Sequence, residues 1–438
     1  MAMNQAGRRV RNFLPQAERC EGRLLLSGMR HSGVLVLPDG EFHPVRPNTP
    51  VLPFGAASNV TTFLDPTAGV IQGKRITLGA RVFVAPFATL DGTNGAIRIG
   101  QNSAILDNSR LVANPSRGPG SPEITIGERV VVNYGASILG ASQIGGFGVA
   151  NASTSIGANA VIENANVGPG SIVGAGARVV GVTIPSGYRV LPNAVVTTQD
   201  QASNPALGKV VRATPGDIAG IDAQLSNNIA LAAGYANLYQ GQSATGPSGV
   251  ITVIATPVPY FNGNLAAVRG ANLEPGSPTV SFEPTRRGPR FQLPGKTQTY
   301  EGDFINFPAR ITGGVIFGQT AAQVQRRIGK HVAIRGDEGQ PITIGSIAKL
   351  GPNVTIHAPK GGTLTIGQNF RADSNAVILG GVGSKIGDNV SIGQGAVVTN
   401  SSIGAGATIG AGAYVANAQV PAGAVIPAGA VYTTVLRA

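Results

Sequence analysis

Ile126-Gly127, Val132, Ile138, Ile144-Gly145, Ala150, Ile156-Gly157, Ile162, Val167-Gly168, Val173-Gly174, Val179, Ile184, Val190 and Val196 mark out one stretch in steps of six residues, with an occasional five. A period of six fits neither the 3.6 of an α-helix nor the alternation of one long strand. It fits a triangular coil, in which three short flat strands are joined by turns. Each marked apolar residue points into the prism and stacks on its equivalent about eighteen positions later. Neighbouring coils then lie about 4.8 Å apart, the ordinary strand spacing. Glycine after the marked residue suits a positive φ or a close approach of backbones.

A second ladder follows at Ile386-Gly387, Ile392-Gly393, Val398, Ile403-Gly404, Ile409-Gly410, Val415, Val420, Ile426 and Tyr432. Both have a similar prelude, Phe63-Leu64-Asp65-Pro66 in one and Phe304-Ile305-Asn306-Phe307-Pro308 in the other. The chain therefore reads as an all-β duplication, two left-handed parallel β-helices of hexapeptide repeats. The first occupies 33–200 with its lead-in and the second 301–438. Ile218, Ile221, Leu225, Ile229, Leu231, Ala232 and Tyr235 recur at helical spacing, which predicts an exterior α-helix within 201–248. Residues 249–300, with proline and the Asn262-Gly263 turn signal, read as a β linker.

Composition agrees with such a fold. The 438 residues include 63 Gly and 30 Pro, no Trp, and only 12% charged residues. With 42% hydrophobic residues the chain buries enough apolar surface to offset its ordering entropy. The net charge of +12 favours an anionic surface or polymer as partner, although no basic run interleaved with aromatics points to nucleic acid. No apolar run reaches the eighteen or so residues of a membrane span. The single Cys20 has no partner for an internal disulfide. Residues 1–32 carry Arg8, Arg9 and Arg11, then Glu18-Arg19 and Leu24-Leu25-Leu26-Ser27, a basic segment that resembles the N-terminal export motif of large bacterial proteins.

Several stretches outside the repeat narrow the fold further. They are Leu64-Asp65-Pro66, Val84-Ala85-Pro86-Phe87-Ala88-Thr89-Leu90, Gly181-Val182-Thr183-Ile184-Pro185-Ser186-Gly187 and Val195-Val196-Thr197-Thr198-Gln199. In the second copy they are Ile334-Arg335-Gly336-Asp337-Glu338-Gly339 and Val354-Thr355-Ile356-His357-Ala358. Together they resemble gamma-class carbonic anhydrases. The resemblance implies trimers and a zinc ion held by three histidines across a subunit interface. Such a zinc keeps an open position for a water whose pKa falls to about 7. The positions matching the ligands are Val112, Tyr134 and Leu139 in the first copy, and His357, Ser374 and Leu379 in the second. Only His357 retains a ligand. The resemblance also assigns Arg335, Asp337 and Glu338 to the remnant catalytic loop, with Arg335 and Asp337 as an intersubunit ion pair. In the first copy Leu90-Asp91-Gly92-Thr93-Asn94 stands there instead.

Three readings follow. The first is a homotrimeric, exported structural or surface-binding protein without hydration activity. The second is a divergent carbonic anhydrase with zinc at His357, aided by Asp373. The third is a hexapeptide acyltransferase, whose long inserted acyl-donor loop is not evident.

Overall fold

The computed structural model describes residues 62–239 and 309–433, apart from 66, 73–74, 114–122, 149–151, 314, 320–322, 325 and 339–341, together with isolated strands of two to four residues elsewhere. The basic N-terminal segment with Cys20, the position Ala150 and most of the 249–300 linker lie outside the described residues.

Each ladder builds one left-handed parallel β-helix. Three sheets of seven, seven and eight strands form the faces of the first prism, and sheets of seven, six and five form those of the second. The register is that of stacked coils: Ile138 pairs with Leu111 on one side and Ile162 on the other, and Ile392 with Ala372 and Ile409. The ladder residues from Ile126 to Val196, Ala150 aside, are buried, as are those from Ile386 to Ile426. Tyr432 is the exception, 38% exposed, because among the described residues no further coil covers the strand Val431–Thr433. At the end of the first prism Val210–Arg212 pairs antiparallel with Tyr188–Val190 and so covers part of the last coil's edge.

The glycines after the marked residues serve close approach. A Cβ on Gly127 would sit 2.6 Å from the Gly146 amide nitrogen on the next coil, and one on Gly157 would sit 2.6 Å from Val173 O. Positive φ falls mainly to other corner residues, among them Asn108, Asn159, Asn193, Asn353 and Asn375, all between 56° and 60°. Asparagine visits this left-handed region more readily than most non-glycine residues.

Two helices follow the first prism, α1 at Gln199–Ser203 and α2 at Pro215–Tyr239, the latter close to the helix expected from the apolar spacing. Thr214 starts α2: the Asp217 amide donates to its hydroxyl, and that hydroxyl and the Thr214 amide donate to the Asp217 carboxylate. Pro215 in the first turn removes a donor that would lack an intrahelical partner. The helix buries Ile221, Leu225, Leu231 and Ala232 in a cluster with Phe63, Phe83, Ala104 and Val131 on the outside of the first prism. Salt bridges Arg129–Asp222 and Arg189–Asp217 flank it, at 2.6 and 3.0 Å.

Replacing Gly127 by alanine should destabilise the chain by about 1–3 kcal/mol, because backbone and not a flexible side chain must move. Gly220, exposed within α2 and with no atom within 4 Å of its ideal Cβ, should gain about 0.5–1 kcal/mol on the same change. Denaturant midpoints of the two variants check the contrast, and equal shifts would contradict the backbone-contact account.

Candidate functional site

The two prisms meet within one chain along their left-handed corners. Phe87, at φ 57°, packs into the core of the second prism with its ring 5.1 Å from that of His331. Asn108 donates to Thr355 Oγ1 at 3.0 Å. Asn159 Nδ2 bridges the carbonyls of Asn375 and Gly395 at 2.9 and 3.0 Å, and Asn193 Nδ2 bridges Gly412 and Gly429 at 3.0 Å each. The αL backbone of each asparagine thus shapes its coil while its amide ties the prisms together. Arg310 adds an ion pair to Asp65 at 3.1 Å.

At the heart of this seam lie the residues singled out in the sequence. Arg335, His357 and Leu379 occupy one register column on three successive coils of the second prism. In the first prism the matching column is Asp91, Val112 and Leu139, so a carboxylate stands where the second copy has Arg335. Tyr134 reaches across from the first prism, its Oη 2.6 Å from His357 Nδ1. Tyr134, His357 and Leu379 therefore come together, Tyr134 and His357 being 4% and 1% exposed. Val112 and Leu139 are register partners in one sheet of the first prism and neither belongs to the cluster around Tyr134, and Ser374 turns a corner of the second prism, its carbonyl accepting from the Gly395 amide at 2.9 Å. Asp373, weighed as a substitute ligand, is exposed and pairs with Lys349 at 3.3 Å.

The expected pair Arg335–Asp337 forms within the second prism, Nε to Oδ2 at 3.1 Å, and the bond across the seam goes instead to Asp107 Oδ2 at 2.8 Å. All three groups are at most 1% exposed. Asp107 was not evident as a site residue from the sequence. Its one signal is that the corner Leu106-Asp107-Asn108 puts an acid where the corner Gly351-Pro352-Asn353 has proline. The Phe83 ring lies 5.5 Å below the Arg335 guanidinium.

Glu338 completes the cluster. Its Oε2 accepts from the Lys360 amide at 2.9 Å, and its Oε1 is 3.2 Å from His357 Nε2. Asp337 Oδ1 is 3.7 Å from the same nitrogen. Burial pushes the Glu338 carboxyl up, but the nearby His357, with Arg335, outweighs it and holds it below its ordinary range. For Asp107 burial wins over Arg335 and the carboxyl is raised. Burial likewise lifts the Tyr134 phenol well above its usual value, so it stays neutral.

A three-histidine zinc site does not fit these residues. One imidazole is present, Leu379 is a hydrocarbon, and the Tyr134 hydroxyl is already engaged by the ring it would share a metal with. The arrangement is instead a buried polar link between prisms, built from one guanidinium, three carboxylates, a phenol and an imidazole.

Residues 383–417 match the family model for the bacterial transferase hexapeptide (six repeats). A carbonic anhydrase of Methanosarcina thermophila is 31% identical over 176 residues, a match spanning 37% of this chain and 70% of that protein. Among solved structures, a hexapeptide transferase family protein from Anaplasma phagocytophilum aligns at 19% identity, covering 40% of this chain and 97% of that one with a TM-score of 0.30. A Bacillus cereus protein described as a putative acetyltransferase aligns at 16% identity, covering 41% and 98%, with a TM-score of 0.23.

Asp107→Ala removes the charge-assisted hydrogen bond across the seam but leaves Arg335 paired with Asp337, so it should cost about 1.5–3 kcal/mol. The exposed pair Lys349–Asp373 should yield no more than about 1 kcal/mol on Lys349→Ala. Urea denaturation of both variants measures this, and a mild Asp107→Ala phenotype would mean the ion pair does not hold the seam.

Proposed function

We propose, from the premise that the chain belongs to the gamma-class carbonic anhydrase family, that it is a paired β-helix scaffold whose former metal interface joins its two prisms rather than hydrating carbon dioxide. The observation that carries this reading is the 2.6 Å contact of Tyr134 with His357, with Leu379 beside them, at the positions where the family places three histidines. Hydration needs a metal-bound water with room for a substrate. Here the phenol and the leucine fill that room.

The Arg335–Asp337 pair, with Glu338 beside it, favours a divergent carbonic anhydrase as the second reading. The net charge of +12 supports an anionic surface or polymer as the scaffold's partner, and the N-terminal basic motif supports export. The homotrimer implied by the family would join three such paired prisms, and sedimentation equilibrium at micromolar concentration tests it against the 44.3 kDa chain.

Stopped-flow hydration assays near neutral pH, with and without added zinc, should give only the uncatalysed rate. The double variant Tyr134→His with Leu379→His places three imidazoles around one point, and it should retain zinc through dialysis where the parent chain with the same treatment shows no hydration. Hydration by the unmodified chain, abolished by His357→Ala, would establish the second reading in place of the first.

A further inference from the structure

Asp107, Asp337 and Glu338 gather around Arg335 at the seam, and all four are at most 9% exposed. Carboxylates in such surroundings are costly to bury unless charge or hydrogen bonds hold them. Each carboxylate of the Asp337–Glu338 pair has one oxygen secured from behind: Asp337 Oδ2 by Arg335 Nε, and Glu338 Oε2 by the Lys360 amide. The other oxygens lie 3.7 and 3.2 Å from His357 Nε2.

The His357 side chain is 2% exposed, and its Nε2 makes no hydrogen bond among the described residues although an acceptor lies within reach. Its ring is oriented by Tyr134 at Nδ1. When Nδ1 carries the proton and Tyr134 Oη accepts it, Nε2 turns a lone pair toward two carboxylates. Three electron-rich donors then converge on one point. One donor atom from each of Asp337, Glu338 and His357 lies within 4.8 Å of the other two. An ion held at about 2.1 Å from each of its donors separates them by about 3.0–3.4 Å. Glu338 Oε1 and His357 Nε2 already stand 3.2 Å apart, whereas Asp337 Oδ1, at 3.7 Å from that nitrogen, has to close in on loading.

The geometry points to a divalent cation bound by Asp337 Oδ1, Glu338 Oε1 and His357 Nε2. This donor set shares only His357 with the three-histidine arrangement of the family. Two carboxylates and one imidazole make a harder site than three imidazoles, suited to Mn²⁺ and similar ions. Arg335 and the Lys360 amide hold the carboxylates, and Tyr134 holds the imidazole, the usual support for metal ligands. The ion would offset the buried negative charge and brace the seam. It is independent of the scaffold reading, since a bound ion need not hydrate anything.

The test uses the full chain, stripped with a chelator and titrated with Mn²⁺ alone, while electron paramagnetic resonance counts the free ion. One saturable site per chain is expected, and loading should raise the unfolding midpoint in proportion to occupancy. Glu338→Gln and His357→Gln should each weaken binding at least about tenfold, whereas Asp373→Asn should leave it unchanged. Tyr134→Phe keeps all three donors yet releases the ring, and should weaken binding by about 10–100-fold. It serves if the first two variants fail to fold. Absence of a saturable site, as when a proton on His357 neutralises Glu338 instead, overturns the proposal. So does binding that survives in all of the ligand and Tyr134 variants. Hydration by the Mn²⁺-loaded chain would overturn the scaffold reading and leave the cation site standing.

Discussion

Each triangular coil has to turn corners with positive φ, and the identity of the corner residue governs much else in this molecule. Glycine turns the corner and contributes nothing more. Asparagine turns it at modest strain and projects an amide with two donors. At Asn108, Asn159 and Asn193 those amides reach the second prism, the latter two bridging successive carbonyls at about one coil's spacing. The carbonyls are those of the matching corners, Asn375, Gly395, Gly412 and Gly429. A requirement of single-chain geometry thus becomes the seam between two domains. Phe87 and His331, both in the left-handed region, extend the same seam with ring packing.

The seam determines what the old site positions become. In one prism the register column Arg335, His357 and Leu379 presents a single metal-binding side chain. The partner surface supplies Tyr134 and Asp107, and these tie the column into a polar network across the interface, bonded at His357 Nδ1 and Arg335 Nη1. A buried ion pair of this kind is weak evidence for stability, since desolvation offsets much of its attraction. Its geometric demand is strict nonetheless. Arg335 can reach Asp107 and Asp337 together only when the prisms sit in one register, so the pair favours that register over a slipped one.

Loss of zinc ligands and retention of the loop carboxylates are compatible on this account. Arg335, Asp337 and Glu338 keep structural work even where Tyr134 and Leu379 replace imidazoles, because they anchor the corner contacts of the second prism. The first copy has no seam-facing counterpart of that column. Its Asp91 bonds locally to the Thr93 amide at 2.9 Å, and a histidine next to it would have lacked both Arg335 and Tyr134.

The period of six, read from the sequence, determined both β-helices, and the helical spacing from Ile218 to Tyr235 determined α2. Both signals are local: each residue's burial follows from its position within a coil or turn. Arg335, Asp337, Glu338 and His357 were also singled out from short sequence motifs, and the structure brings these four side chains together. The role of the glycines was legible only as an alternative: the structure assigns close approach to those after the ladder residues, with positive φ as well at Gly145, and divides the other positive-φ corners chiefly between asparagine and other glycines. Tyr432, counted as inward, is exposed because its strand is the last of its sheet among the described residues. What tertiary structure alone decided is the pairing of Tyr134 with His357 and of Asp107 with Arg335, across 223 and 228 residues of chain. No periodicity records such contacts, because they depend on how two separately closed prisms dock and not on how either one folds.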